Sequence, residues 1–274
     1  MSLPVTYLFV PGDRPDRFAK ALAAGADRAI LDLEDAVKPD AKAAAREALR
    51  TADLDWARVV VRINDAASPY WEEDLAAVAA TPAAAVMVPK AERAQDLTAV
   101  RAAVGREIDI LPQIETVRGL DAIGDLLAVP GVRRAVFGHL DFALDLGAAP
   151  DWEALLTVRS TLVLQSRLAG RAAPVESVSP DISDEDRLRR EAEAARRLGF
   201  GAKLLIHPRQ VAPVARIFAP TAEEVAWAER VVAAVSATTA GAVTVDGRMV
   251  DKPVEDAARR ILARAGGSDE GTHA

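Results

Sequence analysis

Short apolar runs alternate with longer amphipathic segments along most of the chain. The apolar runs are rich in β-branched residues and predict strands at residues 6–11, 28–34, 58–64, 84–90, 109–115, 134–141, 173–179 and 203–208. The segments between them have a helical period and predict helices near residues 15–24, 40–52, 71–80, 93–104, 116–128, 152–169, 184–198 and 209–218. The pattern therefore predicts eight strands, each followed by a helix.

This alternation indicates an α/β fold. Continuous apolar strands between amphipathic helices are typical of a parallel sheet that is covered by helices. Eight such units in succession favour a closed (β/α)8 TIM barrel. The alternative is an open doubly wound sheet, but the GxGxxG phosphate-binding fingerprint of that fold is absent from the sequence. We therefore expect a barrel over residues 1–219.

The remaining residues predict a helical and hairpin extension. A helix is expected at 221–239, a hairpin with an Asp-Gly turn at 241–253, and a last helix at 254–265. We expect this extension, residues 220–265, to pack on the barrel or on a neighbouring subunit. The polar ending at 266–274 is predicted to be disordered.

Composition narrows the class of protein further. The 274 residues are 50% hydrophobic, and the formal charge is −7. The sequence lacks the basic stripe that would indicate nucleic-acid binding, and it has no apolar run long enough to span a membrane. The first residues lack the basic start of a signal peptide, so we expect a cytoplasmic globular protein. Because the chain has no cysteine, thiolate chemistry is excluded.

Charged and polar groups collect where the predicted strands end. In a TIM barrel the catalytic groups stand at the carboxyl ends of the strands. These ends carry Pro11, Gly12, Asp32, Glu34, Asp35, Arg62, Asn64, Lys90, Glu115, Asp141, Ser177, Ser179 and His207. Glu115 and Asp141 end adjacent predicted strands, so we expect both carboxylates on the same part of the rim.

Two neighbouring carboxylates repel each other unless a cation neutralises them. Ligation by oxygen atoms, with water and substrate in the open positions, suits Mg²⁺ or Mn²⁺. The alternative is that Glu115 and Asp141 each cap the helix that follows. For a single acid capping is the better interpretation, but two adjacent acids favour a metal site.

Other rim residues have two interpretations each. The guanidinium of Arg62 offers the forked donors that a carboxylate substrate needs, or it forms an ion pair with the acids of LDLED. Glu34 and Asp35 of that segment support Arg62 and metal-bound waters, unless the segment mainly serves helix capping by Asp40. His139 is expected on the same side of an extended strand as Asp141, either in a pocket wall or hydrogen-bonded in the core. His207 is a weaker candidate of the same kind.

Eight ordered motifs resemble those of a known family. They are VPGDRPDRFAKA, LDLEDAVKPDAK, VRIN, PKAE, PQIET, FG-x-x-D-x-x-x-DLG, GF-x-x-KLLIHP and GAVTVDGRMVDKPV. They resemble the citrate lyase beta-chain-like carbon–carbon lyases of the HpcH/HpaI aldolase superfamily, which include malyl-CoA and citramalyl-CoA lyases. The resemblance covers roughly residues 5–265. It implies a TIM barrel, a homotrimer or hexamer, Mg²⁺, and CoA-thioester or 2-oxo-acid substrates.

The resemblance also implies residue roles. Arg62 would hold the substrate's carboxylate or carbonyl oxygen, Glu115 and Asp141 would bind the metal, and Asp251 would be the acid/base group of a neighbouring subunit's site. Arg14 and Lys20 would contact CoA phosphates, beside the backbone of KLLIHP.

The sequence departs from the family pattern at two places. Leu140 stands where the family usually has an acid, and ESVSPDIS replaces the usual end of strand seven. Both places flank the acyl pocket, so they put the identity of the substrate in doubt. Three functions remain open: a Mg²⁺-dependent 3-hydroxyacyl-CoA lyase, a thioesterase or non-CoA 2-oxo-acid aldolase on the same metal site, and a beta subunit of a multi-chain citrate lyase.

Overall fold

The computed structural model describes residues 3–237 and 243–266. Its first eight strands are β1 (Thr6–Pro11), β2 (Arg28–Asp32), β3 (Val59–Arg62), β4 (Ala85–Val88), β5 (Asp109–Ile114), β6 (Val136–Phe137), β7 (Val175–Glu176) and β8 (Ala202–Leu205). These strands are all parallel and follow one another in chain order, and β1 pairs with β8 to close the barrel. The predicted (β/α)8 barrel is confirmed.

Helices connect and cover the strands. They are α1 (Phe18–Ala23), α2 (Lys42–Thr51), α3 (Trp71–Ala79), α4 (Ala94–Val104), α5 (Val117–Asp121), α6 (Ile123–Ala128), α7 (His139–Leu146), α8 (Leu156–Leu168), α9 (Glu185–Leu198) and α10 (Val211–Phe218). Short 3-10 turns at Pro15–Arg17, Pro39–Ala41 and Pro208–Gln210 precede α1, α2 and α10, and each begins with the proline whose fixed φ suits the first turn of a helix.

One apolar cluster fills the barrel. Its side chains come from every strand and are Tyr7, Ile30, Val60, Ala85, Met87, Leu111, Val136, Val175, Ala202 and Leu204. Side chains two residues apart on a strand share a face. Asp32, Arg62 and Gln113 each follow a cluster residue by two positions, so they stand directly above this core at the carboxyl ends of their strands.

The sixth predicted strand is wrong over most of its length. It was expected at 134–141, whereas β6 has only two residues and His139–Leu146 form α7. The cause is visible in the sequence after Gly138, because the buried residues His139, Phe142 and Ala143 have helical spacing. Asp141 therefore lies in the first turn of a helix. Residues two apart in a helix point about 200° apart, so His139 and Asp141 do not share a side.

The chain divides into two compact units, Pro4–Ala215 and a second unit that begins at Arg216. The second unit contains α11 (Ala222–Ser236), a hairpin of β9 (Val243–Val245) and β10 (Arg248–Val250), and α12 (Lys252–Gly266). The hairpin turns at Asp246 and Gly247, both with positive φ, as the predicted Asp-Gly turn requires. Residues 238–242 and the predicted disordered tail after residue 266 lie outside the described residues.

A small apolar core holds this second unit together. Ala228, Val231, Val245, Val250 and Ala258 are buried in it. No helix in the described part of the chain is long and apolar enough to cross a membrane.

Candidate active site

Arg62 is the buried centre of the rim. The residue is 7% exposed at the end of β3, and Nε and Nη2 each donate a hydrogen bond of 2.7 Å to the carboxylate of Asp32 on β2. Nη1 lies 3.0 Å from Glu34 and 3.8 Å from Asp35, and the guanidinium packs over the Phe9 ring at 4.7 Å. The predicted ion pair with LDLED is therefore present, and it holds the guanidinium in one orientation at the pocket.

Lys90 joins two of the acids. Its Nζ donates to Glu34 at 2.8 Å, and its backbone N–H donates to Oε1 of Glu115, also at 2.8 Å. Lys90 has φ 46°, a left-handed conformation that a residue with a Cβ rarely adopts. Such backbone strain is maintained only where the surroundings enforce it, and here it aims the N–H at a carboxylate of the site.

Glu115 is enclosed directly after β5. It is 1% exposed, and Oε2 accepts a hydrogen bond of 2.5 Å from Nε2 of Gln113. Burial first, and then the negative charge of Glu34, raises the pKa of Glu115 to about 8, and Asp141 adds to this rise. A Cβ at Gly138 would lie 2.5 Å from Oε2, so only glycine leaves room for this carboxylate.

The capping alternative for Glu115 is wrong. Helix α5 is capped by Thr116, whose side chain accepts from the backbone N–H of Gly119. Neither hydrogen bond of Glu115 goes to α5. Asp141 lies within the first turn of α7, half-buried, and the cap residue Gly138 has no side chain to accept a hydrogen bond.

The rim surrounds a cavity of about 340 Å³ with polar and apolar lining residues. The polar ones come mainly from β2, β3, β5 and the start of α7, and are Asp32, Asp35, Arg62, Gln113, His139, Asp141 and Ser177. The large apolar ones come from β1, β8, α7 and the residues that follow β7 and β8, and are Phe9, Leu140, Val178, Leu204 and Ile206.

His139 meets both of its predicted descriptions. It lines the cavity, and it is buried with Nδ1 2.7 Å from the hydroxyl of Ser177, which also accepts from the backbone N–H of His139 at 3.1 Å. Burial first, and then the charges of Arg159 and Lys203, lowers the pKa of His139 to about 4. The imidazole is therefore neutral.

The other candidates of the barrel unit named here do not line this cavity. Arg14 is exposed and pairs with Asp16, Lys20 is exposed on α1, and His207 caps the turn before α10. Asp40 caps nothing, because the helical turn Pro39–Ala41 and α2 both lack a side-chain cap. In the second unit, Asp251 accepts from the backbone N–H of Val254 at 3.2 Å, which is the capping bond expected at the start of α12.

Sequence reasoning missed part of the site. Lys42 from LDLEDAVKPDAK donates to the backbone oxygens of Leu33 and Glu34 and to the side chain of Asn64, so it fixes the segment that carries the acids. Gln113 also went unnoticed, although it precedes Glu115 by two and therefore shares its face of β5. Asp32 was seen only as one of several acids.

The acids leave room for a cation. Arg62 and Lys90 pair with Asp32, Glu34 and Asp35, but in the described residues no arginine or lysine forms an ion pair with Glu115 or Asp141. Nor does this part of the chain bring three His, Cys, Asp or Glu side chains together as a metal cage. The donor set fits an ion that uses two carboxylates and takes its other ligands from water and substrate.

Fold and site together define a (β/α)8-barrel protein with an acid-rich pocket around a buried arginine at the carboxyl ends of its strands. The model of the HpcH/HpaI aldolase/citrate lyase family matches residues 6–208, and the chain belongs to this family. The predicted family and the predicted class of enzyme, a lyase, are thereby confirmed.

Similar proteins cover nearly the whole chain. A citrate lyase subunit beta-like protein of Mycobacterium tuberculosis is 40% identical over 95% of both chains, and a (3S)-malyl-CoA thioesterase of Cereibacter sphaeroides is 34% identical over 95% of this chain and 94% of its own. The crystal structure of CitE from M. tuberculosis in complex with magnesium, acetoacetate and coenzyme A superposes with a TM-score of 0.86 at 38% identity, over 97% of this chain and 99% of that one.

Proposed function

We propose that the protein is a Mg²⁺-dependent carbon–carbon lyase. It cleaves a 3-hydroxyacyl-CoA such as malyl-CoA or citramalyl-CoA into an acyl-CoA and a 2-oxo acid, or it catalyses the reverse reaction. The observation that carries the proposal is the pocket itself, which is lined by the buried, clamped Arg62 and by Asp141, with Glu115 close enough to both for their charges to shift its pKa. In the described residues neither Glu115 nor Asp141 forms an ion pair with an arginine or lysine. A crystal structure of the related CitE from M. tuberculosis in complex with magnesium and pyruvate supports it.

Glu115 and Asp141 would hold the metal. A bound Mg²⁺ would supply Lewis-acid stabilisation of the oxygen that becomes the carbonyl of the 2-oxo acid. The buried carboxyl of Glu115 favours this, because a cation offsets the burial that raises its pKa. Lys90 and Gln113 keep the carboxylate in place by donating to one oxygen each.

Arg62 would bind the carboxylate of the 2-oxo-acid half. Asp32 occupies Nε and one hydrogen of Nη2, so the guanidinium is held rigid while its other end faces Glu34 and the cavity. A planar, preorganised donor of this kind stabilises negative charge on a substrate oxygen without reorganising during the reaction.

Cleavage also requires two proton movements. The carbon–carbon bond breaks, the substrate hydroxyl loses its proton, and the α-carbon of the thioester gains one. Asp251 is our candidate for the acid/base group, acting on a neighbouring subunit of a homotrimer or hexamer. Arg14 and Lys20, both exposed, are the candidates for contacts to CoA phosphates, and we place the enzyme in the cytoplasm.

Two relatives support alternative functions. The similarity to the (3S)-malyl-CoA thioesterase favours hydrolysis of the thioester at the same site. The citrate lyase subunit beta of Leuconostoc mesenteroides, 30% identical over 95% of this chain, favours a role as one chain of a larger lyase.

One product analysis separates these functions. The purified chain is incubated with malyl-CoA or citramalyl-CoA, with Mg²⁺ or with a chelator, and products are quantified by chromatography. We expect equal amounts of acetyl-CoA and glyoxylate or pyruvate, only with Mg²⁺. Free CoA thiol without acetyl-CoA would establish the thioesterase instead, and a chain that cleaves neither substrate alone would favour the subunit of a larger complex.

A further inference from the structure

Four apolar side chains of the cavity have no part in holding the metal or the carboxylate. They are Leu140, Val178, Leu204 and Ile206, which we call the apolar wall. Phe9 also lines the cavity, but its ring packs against the guanidinium of Arg62 at 4.7 Å, so we do not count it with the wall. Leu140 is 45% exposed and Ile206 is 38% exposed, so two large side chains of the wall face open space. Covering such surface with an apolar group is favourable, whereas covering it with a charged group is not.

The charges of the cavity also favour an uncharged group at the wall. Among its lining residues in the barrel unit the only charged cation is Arg62, which already faces Asp32, Glu34 and Asp35. The other formally charged lining groups are the acids Asp32, Asp35 and Asp141, and Nδ1 of the buried His139 lies 2.7 Å from the hydroxyl of Ser177. A carboxylate placed against the apolar wall would therefore lose its hydration without meeting a cation.

From these observations we infer that, among thioesters with a substituent on the acyl α-carbon, the apolar wall selects those whose substituent is alkyl and rejects those whose substituent ends in a carboxylate, with Leu140 and Ile206 as specificity-determining residues. This inference rests on the proposed function, because the metal and Arg62 would hold the 2-oxo-acid half at the polar lining residues. The acyl half would then lie against the rest of the lining, which includes the wall.

Butyryl-CoA and succinyl-CoA form a matched pair of probes. Beyond the α-carbon, butyryl-CoA carries CH₂CH₃ and succinyl-CoA carries CH₂COO⁻, so they differ mainly in charge. Their affinities are measured by calorimetry with Mg²⁺ and pyruvate present. We expect butyryl-CoA to bind at least about tenfold more tightly to the wild type, as for a pocket with no partner for a buried charge.

Substitutions of the wall provide the decisive comparison. Leu140→Lys and Ile206→Lys each place a cation on the wall, and both should reduce the preference for butyryl-CoA by at least about fivefold. Ile206→Lys is needed because Leu140 adjoins Asp141, so a lysine at 140 also alters the metal site. Leu144→Lys is the control, since Leu144 is 82% exposed on the same helix as Leu140 but does not line the cavity. It should leave the preference unchanged.

The outcomes separate the two proposals. Equal binding of both thioesters by the wild type, or a preference that survives in both lysine variants of the wall, would overturn the inference. If the preference behaves as expected but no thioester is cleaved or formed, the selectivity stands and the lyase function fails. If neither thioester binds at all, both are wrong.

Discussion

At the scale of single residues, Arg62 has a structural and a chemical task at once. Nε and Nη2 of its guanidinium donate to the carboxylate of Asp32. The side chain also lines the pocket. Lysine has one point charge and cannot make both contacts. We therefore expect Arg62→Lys to lower kcat/KM nearly as much as Arg62→Ala, each by roughly 100-fold or more, because a preorganised charge at the transition state is lost.

Steady-state kinetics of the two variants, together with their thermal unfolding, test this expectation. A lysine variant that kept most of its kcat/KM would make Arg62 only the ion-pair partner of the LDLED acids. A parallel loss of folding stability in both variants is expected, since each leaves Asp32 buried without its partner.

The residue scale is also where sequence reasoning reached furthest and where it stopped. Arg62, Glu115 and Asp141 were predicted as site residues because barrel strands display their last residues at one rim. Arg62 ends β3 and Glu115 follows β5 as expected, whereas Asp141 lies in the first turn of α7. The hydrogen bond from the backbone N–H of Lys90 to Glu115 could not be predicted from the sequence. It depends on a left-handed backbone at Lys90 and joins residues 25 positions apart. No local pattern encodes either feature.

At the scale of secondary-structure elements, the junction of β6 and α7 is critical. Gly138 separates them, and a Cβ there would lie 2.5 Å from Oε2 of Glu115. We expect Gly138→Ala to weaken Mg²⁺ binding and to destabilise the fold by about 1–3 kcal/mol, as overpacking does. Calorimetry and urea unfolding measure the two effects.

Gly124→Ala is the matched control for that variant. Gly124 lies in α6, and nothing lies within 4 Å of a Cβ built there. Alanine should therefore be neutral or stabilise the helix by about 0.5–1 kcal/mol. If Gly138→Ala were equally harmless, Glu115 would not be confined as described.

The same junction explains the main error of sequence reasoning about the fold. The run from Val132 to Leu146 has apolar residues both before and after Gly138, so its first part and its last part look alike in hydrophobicity. The change from strand to helix is marked only by Gly138 and by the spacing of His139, Phe142 and Ala143. The number and order of barrel strands were nevertheless correct, because turn signals and helical segments separate the other runs.

At the opposite end of the barrel, Arg134 serves stability alone. It is 1% exposed, and it donates to the backbone oxygens of Ala173 at 2.7 Å and Pro4 at 2.9 Å. We expect Arg134→Met to destabilise the fold by about 2–4 kcal/mol, because both oxygens lose their donor. Mg²⁺ affinity should not change. Arg133→Met, at the exposed neighbouring position, should have little effect in the same denaturant titration.

At the scale of the whole molecule, the question is whether Asp251 completes a neighbour's site. Asp251 caps α12 in its own chain, so its loss has two consequences that must be separated. Asn also caps helices well, whereas Ala does not. We expect Asp251→Asn to keep the stability of the wild type but to lose activity, and Asp251→Ala to lose both.

Mixed oligomers test whether this residue acts in trans. Asp251→Asn and Asp141→Asn proteins are each expected to be nearly inactive. After verified subunit exchange, mixtures should regain activity, because some sites combine an intact Asp141 with an intact Asp251 from the next subunit. Mixtures that stay inactive would place Asp251 in its own chain's site or outside the chemistry.

The proposed lyase function depends on a divalent metal held by Glu115 and Asp141. Calorimetric titration of Mg²⁺ into the wild type, Glu115→Gln and Asp141→Asn tests it directly. We expect one site per chain in the wild type and a loss of affinity of at least about 100-fold in each variant, because a neutral amide is a poor ligand for a hard cation. Asp141 is half-buried in the first turn of α7, so its variant should remain folded. Unchanged Mg²⁺ affinity in a folded Asp141→Asn protein would contradict the metal site and the lyase function built on it.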